Sequence, residues 1–303
     1  MSDTPITNGT KNSGLKPTKG WPQRNYRFLR HQIVPGIFKR REGNQFRPEF
    51  HPLNDESVRI TWIGHAGFLI QFESMNVLID PNWAMWHGIV KRSRLPGIPI
   101  DHLPPIDLVL ISHAHYDHLH KKSLRVIDSR YGIIVPTGLR DLVSRLKFPA
   151  VYEMNVWEEL KLGGLTITHT PSYHWGARNL HDTHRNFGGF HIHGGGKDIF
   201  HCGDSAYFDD FKTIGARHNI DIAILPIGAY EAPSGRDVHM NPEEALQAFE
   251  DLGGAVMIPM HFGSFPLGNE CPLEPVQRLS AEAHHRGLTD KLFVLDEGTP
   301  VTF

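Results

Sequence analysis

The sequence is poor in the features that define several protein classes. It has two cysteines, Cys202 and Cys271, among 303 residues, which excludes a disulfide framework and a cysteine-rich zinc ribbon and favours a reducing compartment. No apolar run reaches the roughly 18 residues of a membrane span, and the polar start MSDTPITNGTKNSG does not resemble a signal peptide. A Gly-x-Ser-x-Gly motif is absent too, which argues against a serine nucleophile on a strand-to-helix elbow. We therefore expect a cytoplasmic protein.

Acidic residues are scarce near the start of the chain. Residues 11–47 hold ten Lys and Arg but one acid, Glu42, whereas the whole chain has a net charge of -2. Because residues 21–41 also carry aromatic and aliphatic side chains, they are suited to peripheral contact with an anionic membrane surface. The alternative is a solvated arm that packs loosely on the acidic remainder. We expect a disordered tail, a basic aromatic segment and one large domain, comprising residues 1–20, 21–57 and 58–303.

From Val58 onward, short β-type runs alternate with helical stretches, which indicates an α/β protein. The clearest helix is NPEEALQAFEDLGG, in which Asn241 is a good N-cap, Pro242 suits the first helical position and Gly253 ends the helix. A second helix is predicted in GLRDLVSRL and a last strand in KLFVLD. Polar residues follow several strands directly, at the position where α/β proteins display functional groups. This regularity predicts one shared site.

Histidine is abundant, with 21 residues, and four lie in the stretch ISHAHYDHLH. His113 and His115 are two residues apart, so both point the same way in an extended segment. Asp117 and His118 complete the spacing H-x-H-x-D-H, while His120 lies outside it and is expected not to be a ligand. Imidazoles and a carboxylate suit zinc and comparable divalent metals. Four such close ligands can scarcely all face one tetrahedral ion, so two adjacent ions are the more natural solution.

HAHYDHLH resembles the signature of metallo-β-lactamase-fold hydrolases. With WIGHAGFLI, HWGAR, GDSAY, LPIGAYE, HMNPEEAL and MHFGSF, the chain from Val58 resembles the N-acylphosphatidylethanolamine-hydrolysing phospholipase D family. The resemblance implies a four-layer αββα sandwich, an α/β fold, with two divalent metal ions in a groove. Zinc is the usual metal, and iron or manganese would also suit the ligands. The implied ligands are His113, His115 and His174 for one ion, Asp117, His118 and His261 for the other, and Asp204 as a bridge.

Two cations that share a carboxylate and a water lower the pKa of that water, so we expect a hydroxide between the ions to attack phosphorus. The expected reaction is phospholipase D-type hydrolysis of N-acylphosphatidylethanolamine or a related glycerophospholipid. Asp117 is a candidate to orient the hydroxide. His239, just before the helix that Asn241 caps, is a candidate to bind phosphate or to protonate the leaving oxygen. The candidates to line the substrate groove are Trp175, Tyr230 and Glu231.

Two further residues are candidates to support the ligands. His65 in WIGHAG is expected to support them or to line the groove, and a buried histidine bonded to the backbone is the alternative. The resemblance implies that Asp80, which ends the run NVLID, holds the ligand loop by hydrogen bonds. Capping of the turn before Pro81 is compatible with that role.

The sequence leaves other functions open. A lactone, another cyclic ester or a small cyclic phosphodiester is the alternative substrate, and metal or lipid binding without catalysis is the alternative outside enzymes. A nucleic-acid partner is not expected, because no basic patch lies near the site motifs. A homodimer remains an open alternative.

Overall fold

The structure is a computed structural model that describes residues 21–53, 56–73, 75–179, 182 and 184–303. The tail expected for residues 1–20 lies outside the described residues. Of the helices described, none is long and apolar enough to cross a membrane. Both cysteines are free: Cys202 is buried and Cys271 is exposed.

Seven of the described strands form the first sheet. In order across the sheet they are β15 (Pro300–Thr302), β1 (Arg59–Gly64), β2 (Gly67–Gln71), β3 (Asn76–Ile79), β6 (Ile106–Leu110), β7 (Ser129–Pro136) and β8 (Val151–Met154). The strands from β15 to β3 pair antiparallel, and those from β3 to β8 pair parallel. β1, β3 and β6 therefore run in the same direction and end at the same edge.

The second sheet has six strands in the described part of the chain. Their order is β14 (Val256–Met260), β13 (Ile222–Pro226), β12 (Lys197–His201), β11 (Gly189–Gly194), β10 (Leu165–Thr170) and β9 (Glu159–Leu162). β12, β13 and β14 pair parallel, and the rest pair antiparallel. β10, β12 and β14 share one direction, so their carboxyl ends also meet at one edge.

The two sheets pack face to face with helices on their outer surfaces. Phe68 and Ile70 of β2 pack in one apolar cluster with Phe190 of the second sheet, whereas Leu69 between them lies in a separate cluster on the outer face. The helices α3 (Lys121–Leu124) and α4 (Arg140–Val143) cover that outer face, and α5 (Asp210–Arg217), α6 (Pro242–Leu252) and α7 (Glu274–His285) cover the second sheet. Burial of both faces explains the near-continuous apolar strands. The fold is the expected αββα sandwich.

The basic N-terminal segment is helical and bonded to the domain. It consists of α1 (Trp21–Phe28), a π-helical turn (Leu29–Ile33) and α2 (Val34–Phe38); with the four residues that follow, we call it the strap (residues 21–42). The Lys91 ammonium, in a small hairpin of β4 (Trp86–His87) and β5 (Val90–Lys91), donates to the carbonyls of Ile37 and Lys39 at 2.8 Å each. Gln32 Nε2 donates to the Asn269 carbonyl at 3.0 Å.

The helix predicted around Pro242 is confirmed. Asn241 and Glu244 form a reciprocal capping box at its start, and Gly253 ends it with a φ of 65°. The helix predicted in GLRDLVSRL is shorter than the run, spanning Arg140–Val143. Short 3₁₀ helices occur at Ile100–His102 and Thr289–Lys291.

The prediction of a strand in KLFVLD is wrong. Leu292 makes one isolated bridge to Met257 of β14, and Phe293 and Val294 after it are exposed. The chain then crosses to the other sheet, where Pro300–Thr302 pairs with β1. An apolar run predicts a strand, but it does not predict over how many residues that segment pairs with a neighbouring strand.

Two stacked histidines, one in the second sheet and one directly after α5, make stability sensitive to acid. The rings of His191 and His218 lie 3.8 Å apart. Burial first, and then His191, lower the pKa of His218 to about 4. Because an unfolded histidine titrates near 6.5, the unfolded chain binds more protons below that pH. The stability present above pH 6.5 is therefore lost as the pH falls towards 4.

We expect His218→Gln to reduce this acid loss by about 1 kcal/mol, a value lowered to allow for solvent screening of a partly exposed ring. The measurement is the midpoint of thermal unfolding between neutral pH and pH 4.5. His285→Gln, which removes an exposed histidine of α7, is the control. Identical pH profiles for wild type and His218→Gln would contradict the expectation.

Candidate metal centre

The candidate ligands and the two residues expected to support them all follow strands that end at one edge of the two sheets. His65 follows β1, Asp80 follows β3, and the stretch from His113 to His118 follows β6. The second sheet supplies the others in the same way: His174 after β10, Asp204 after β12 and His261 after β14. Since strands running in one direction end together, residues up to 196 positions apart meet at one place.

Three histidine nitrogens form the first group. His113 Nε2 lies 2.9 Å from His115 Nδ1, which lies 3.2 Å from His174 Nε2. Ligands placed 2.0–2.1 Å from a tetrahedral zinc ion lie about 3.3 Å from one another. Burial first, and then His174, lower the pKa of His115 to about 3, so its imidazole is neutral, as metal ligation requires.

Asp117, His118 and His261 form the second group. The Asp117 Oδ2 atom is 3.5 Å from His261 Nε2 and 3.7 Å from His118 Nε2. Both histidines are buried, and the Asp117 side chain is 15% exposed. The carboxylate is thus the part of this group that a solvent molecule or a substrate reaches.

Asp204 lies between the two groups. Its Oδ2 atom is 3.1 Å from His261 Nε2 and 3.2 Å from His118 Nε2 in the second group. The same atom is 3.8 Å from both His113 Nε2 and His174 Nε2 in the first. One buried carboxylate is therefore within reach of both groups.

These residues fit a cation on two observations. The buried atoms Asp204 Oδ1, His118 Nε2 and His261 Nε2 have no hydrogen-bond partner among the described residues, although such atoms are costly to bury unpaired. In addition, burial disfavours a charged His261, yet Asp204 and Asp117 outweigh it and raise its pKa to about 9. The carboxylates thus create a negative potential. A metal ion would neutralise this potential and would be the missing partner of the unpaired atoms.

Asp80 holds the ligand loop by three contacts. Its Oδ1 atom accepts from the Ser112 backbone N–H at 2.8 Å, and its Oδ2 atom accepts from Ser112 Oγ at 2.5 Å. His118 Nδ1 lies 2.7 Å from Oδ2. A proton held on Nδ1 leaves the lone pair of His118 Nε2 directed into the cluster.

His65 connects the second group to the turn between β1 and β2. Its Nε2 atom lies 2.9 Å from Asp117 Oδ2, and its carbonyl accepts from the backbone N–H of His261 at 3.1 Å. Its own backbone N–H donates to Ser264 Oγ at 2.7 Å. The residue therefore positions one candidate ligand by its side chain and another by its backbone.

The candidate substrate residues are placed differently from one another. His239 is buried, with Nδ1 3.9 Å from Asp204 Oδ2, and the Trp175 ring lies 4.2 Å from that of His115. The Tyr230 hydroxyl, however, donates to Glu274 of α7 at 3.0 Å, and Glu231 is exposed. The structure brings His239 and Trp175 to the cluster and directs the Tyr230 hydroxyl towards α7, while the roles of all four stay predictions.

Sequence reasoning missed two residues that hold the loop through its backbone. Arg178 Nη1 donates to the carbonyls of Ala114 and Leu119 at 2.6 and 3.0 Å, and Asn82 Nδ2 donates to that of Asp117 at 2.6 Å. Arg178 lies in the motif HWGAR, and Asn82 lies two residues after Asp80, which ends the run NVLID. Because their partners are carbonyl groups, no side-chain pattern identifies them.

His120, the last histidine of the cluster stretch, lies outside both groups. Its Nδ1 atom accepts from the backbone N–H of Ser123 at 3.3 Å, at the start of α3. The side chain thus caps a short helix.

Comparisons with known proteins identify the family. Residues 75–262 match the β-lactamase superfamily domain. The chain belongs to this superfamily. It is 33% identical over 253 residues to N-acyl-phosphatidylethanolamine-hydrolyzing phospholipase D 1 of Caenorhabditis elegans, which covers 76% of this chain and 70% of the relative. It is 32% identical over 251 residues to a UPF0173 metal-dependent hydrolase of Methanopyrus kandleri, and the match covers 80% of this chain and 98% of that relative.

A solved structure of this kind has the same fold. Igni18, a metallo hydrolase from Ignicoccus hospitalis, superposes with a TM-score of 0.64 at 25% identity, covering 82% of this chain and 98% of that one. The protein is accordingly a metal-dependent hydrolase of the β-lactamase superfamily.

The contact between Asp80 and His118 is testable. In Asp80→Asn an amide N–H can face His118 Nδ1 and favour the tautomer with its proton on Nε2, which removes a ligand lone pair. We expect metal affinity to fall about 10–100-fold, measured by calorimetric titration of the chelator-treated protein with zinc. The matched control is Asp198→Asn, because Asp198 lies at the same 2.7 Å from a histidine, His191, outside the cluster. Equal losses in both variants would contradict the assignment.

Proposed function

We propose that this hydrolase is a phosphodiesterase that holds two divalent ions, zinc in the first instance. Its proposed substrate is N-acylphosphatidylethanolamine or a related glycerophospholipid, cleaved at the headgroup oxygen. The observation that carries the proposal is the position of Asp204 Oδ2, 3.1–3.8 Å from histidines of both groups. His113, His115 and His174 would hold one ion, Asp117, His118 and His261 the other, and Asp204 would contact both.

When bound, two such ions would lower the pKa of a water between them and withdraw charge from the phosphoryl oxygens. The role of this chain's own residues is to orient that water, for which the Asp117 carboxylate must remain ionised. Burial raises the pKa of Asp117, but His118, His261 and His65 outweigh it and hold the pKa well below its ordinary value. His65 occupies Oδ2 of that carboxylate, which leaves Oδ1 to accept a hydrogen bond from the attacking water.

His239 is the proposed carrier of a proton to the leaving oxygen. Burial lowers the pKa of His239 well below its ordinary value, so the imidazole is neutral before the reaction. It therefore takes up the proton that the attacking water releases and passes it to the leaving oxygen. Its Nδ1 atom is buried and has no hydrogen-bond partner among the described residues. The start of α6 next to it is already capped, since Asn241 Oδ1 accepts from the Glu244 N–H and Glu244 accepts from the Asn241 N–H. This favours the imidazole over the helix terminus as the group that meets the substrate.

The substrate test uses metal content and product together. We expect about two ions per chain by elemental analysis and release of phosphatidic acid from N-acylphosphatidylethanolamine vesicles. Asp117→Asn should lower kcat at least about 100-fold. Because a relative is named simply a metal-dependent hydrolase, a panel of lactones is assayed in parallel. If the protein hydrolyses lactones but no phospholipid, it is a lactonase and not a phosphodiesterase. If the metal-loaded protein hydrolyses neither substrate, a binding protein is favoured.

The role of His239 is tested by the leaving group. We expect His239→Gln to lower kcat for the phospholipid about 100-fold or more, with metal content unchanged, because an alkoxide needs a proton as it departs. Hydrolysis of bis(p-nitrophenyl) phosphate should fall much less, since nitrophenolate leaves without one. An equal loss on both substrates, or a rise in KM alone, would assign His239 to phosphate binding instead.

A further inference from the structure

Exposed apolar side chains are concentrated on two short elements. Thirteen large hydrophobic side chains are exposed in the described part of the chain. More than half of them lie on the strap (residues 21–42) or on the β4–β5 hairpin (residues 86–91), and these are Tyr26, Leu29, Val34, Ile37, Phe38, Trp86 and Ile89. Phe38 is 84% exposed and Ile89 is 61% exposed. Such a concentration marks an interaction surface, whereas single exposed apolar residues do not.

The strap and the hairpin form one surface, which we call the docking face. Besides the bonds from Lys91 to the strap carbonyls, Arg41 Nη2 donates to the Met85 carbonyl at 3.1 Å. The Arg41 guanidinium and the Lys91 ammonium lie 5.8 and 5.7 Å from the centre of the Trp86 ring. Two cations therefore lie beside the Trp86 ring where the strap meets the hairpin.

The charge of the docking face is almost all positive. The strap carries six Lys and Arg and a single acid, Glu42, which is paired with Lys39 at 2.9 Å. Arg27, Arg30 and Arg40 are exposed. Protein interfaces are depleted in charge at their cores, whereas basic helices with exposed aromatic and aliphatic side chains are typical of the surface of anionic bilayers.

The docking face adjoins the candidate metal centre. In β4, Trp86 is exposed, while the ring of His87 lies 4.7 Å from Phe265, which lies 5.2 Å from His65. His87 Nε2 is also 2.9 Å from Asn82 Nδ2, the atom that donates to the Asp117 carbonyl. A residue that faces outward on the hairpin is thus next to one that faces the cluster.

An apolar cavity lies beside the hairpin. It has a volume of about 420 Å³, and its apolar lining residues are Trp83, Ala84, Met85, Trp86, Ile100 and Val126. The polar residues His120, Lys122 and Ser123 complete the lining. A largely apolar lining that includes the Lys122 ammonium suits a lipid chain with an anionic headgroup. This open pocket is continuous with the docking face because Trp86 belongs to both.

We propose that the docking face binds an anionic phospholipid bilayer and holds the metal centre at the membrane surface. The proposal rests on the proposed function, in that a glycerophospholipid substrate resides in such a bilayer. The exposed apolar side chains enter the interface and the arginines meet the lipid headgroups. No part of the chain need cross the membrane.

The apolar part is tested with vesicles made of phosphatidylcholine alone or with an equal part of phosphatidylglycerol. We expect the full chain to sediment with the anionic vesicles and not with the neutral ones. Trp86→Ser/Ile89→Ser should bind them at least tenfold more weakly, because the variant lacks two apolar side chains that transfer from water into the bilayer on binding. The matched control is Leu273→Ser/Val294→Ser, since these side chains are 52% and 46% exposed outside the docking face.

The charged part is tested separately. Arg27→Gln/Arg30→Gln/Arg40→Gln should weaken binding to the anionic vesicles at least tenfold, and binding of the wild type should fall as salt rises. The variants should hydrolyse the soluble bis(p-nitrophenyl) phosphate like the wild type. A variant that loses vesicle binding but keeps this turnover is impaired in docking and not in catalysis. If the wild type binds vesicles but hydrolyses no diester, the proposed function is wrong and the docking proposal still holds.

Three results would overturn the proposal. The first is wild-type protein that ignores anionic vesicles or binds neutral ones equally well. The second is equal binding by the wild type and both docking-face variants. The third is a dimer, seen by light scattering, that Trp86→Ser/Ile89→Ser dissociates without weakening vesicle binding, because the face would then belong to a second copy of the chain.

Discussion

The structure depends on one buried carboxylate. The Asp204 side chain is 2% exposed, and five histidines place a ring nitrogen within 3.9 Å of its Oδ2 atom. Burial opposes its charge, but His118 and His261 outweigh burial and keep its pKa well below the ordinary value. Removing charge from water costs several kcal/mol unless compensating groups stand ready. The candidate metal centre provides these compensating groups, because histidines of both ligand groups surround the Asp204 carboxylate.

The αββα fold makes this arrangement possible because two sheets deliver side chains to one edge. Each group of candidate ligands contains residues from both sheets, so neither sheet forms a group alone. Among the described residues, five other than glycine have a positive φ, and three of them belong to the site: His65, Asp80 and His261. Such conformations cost about 1–3 kcal/mol each and persist because packed strands and short hydrogen bonds fix them.

Several predictions from the sequence held because they rest on local rules. Asn241 and Gly253 mark the ends of their helix through capping, which depends on a few adjacent residues. Alternation and apolar runs identified strands, yet KLFVLD formed one bridge because neighbouring strands decide how far a strand extends. The roles of the substrate residues stay predictions. Tyr230 is close to the site motifs in sequence, but its hydroxyl bonds to α7, which the motif does not reveal.

The sequence by itself determined the family resemblance, the types of the candidate ligands and the close spacing of His113, His115, Asp117 and His118, because motifs and spacing are set by the order of residues along the chain. Only the tertiary structure decided that Asp204 lies between two groups and that Asn82 and Arg178 hold the loop by its carbonyls. It also decided that the basic strap joins the β4–β5 hairpin in one surface. Each of these contacts links residues far apart in the chain, and their distances depend on how two sheets pack.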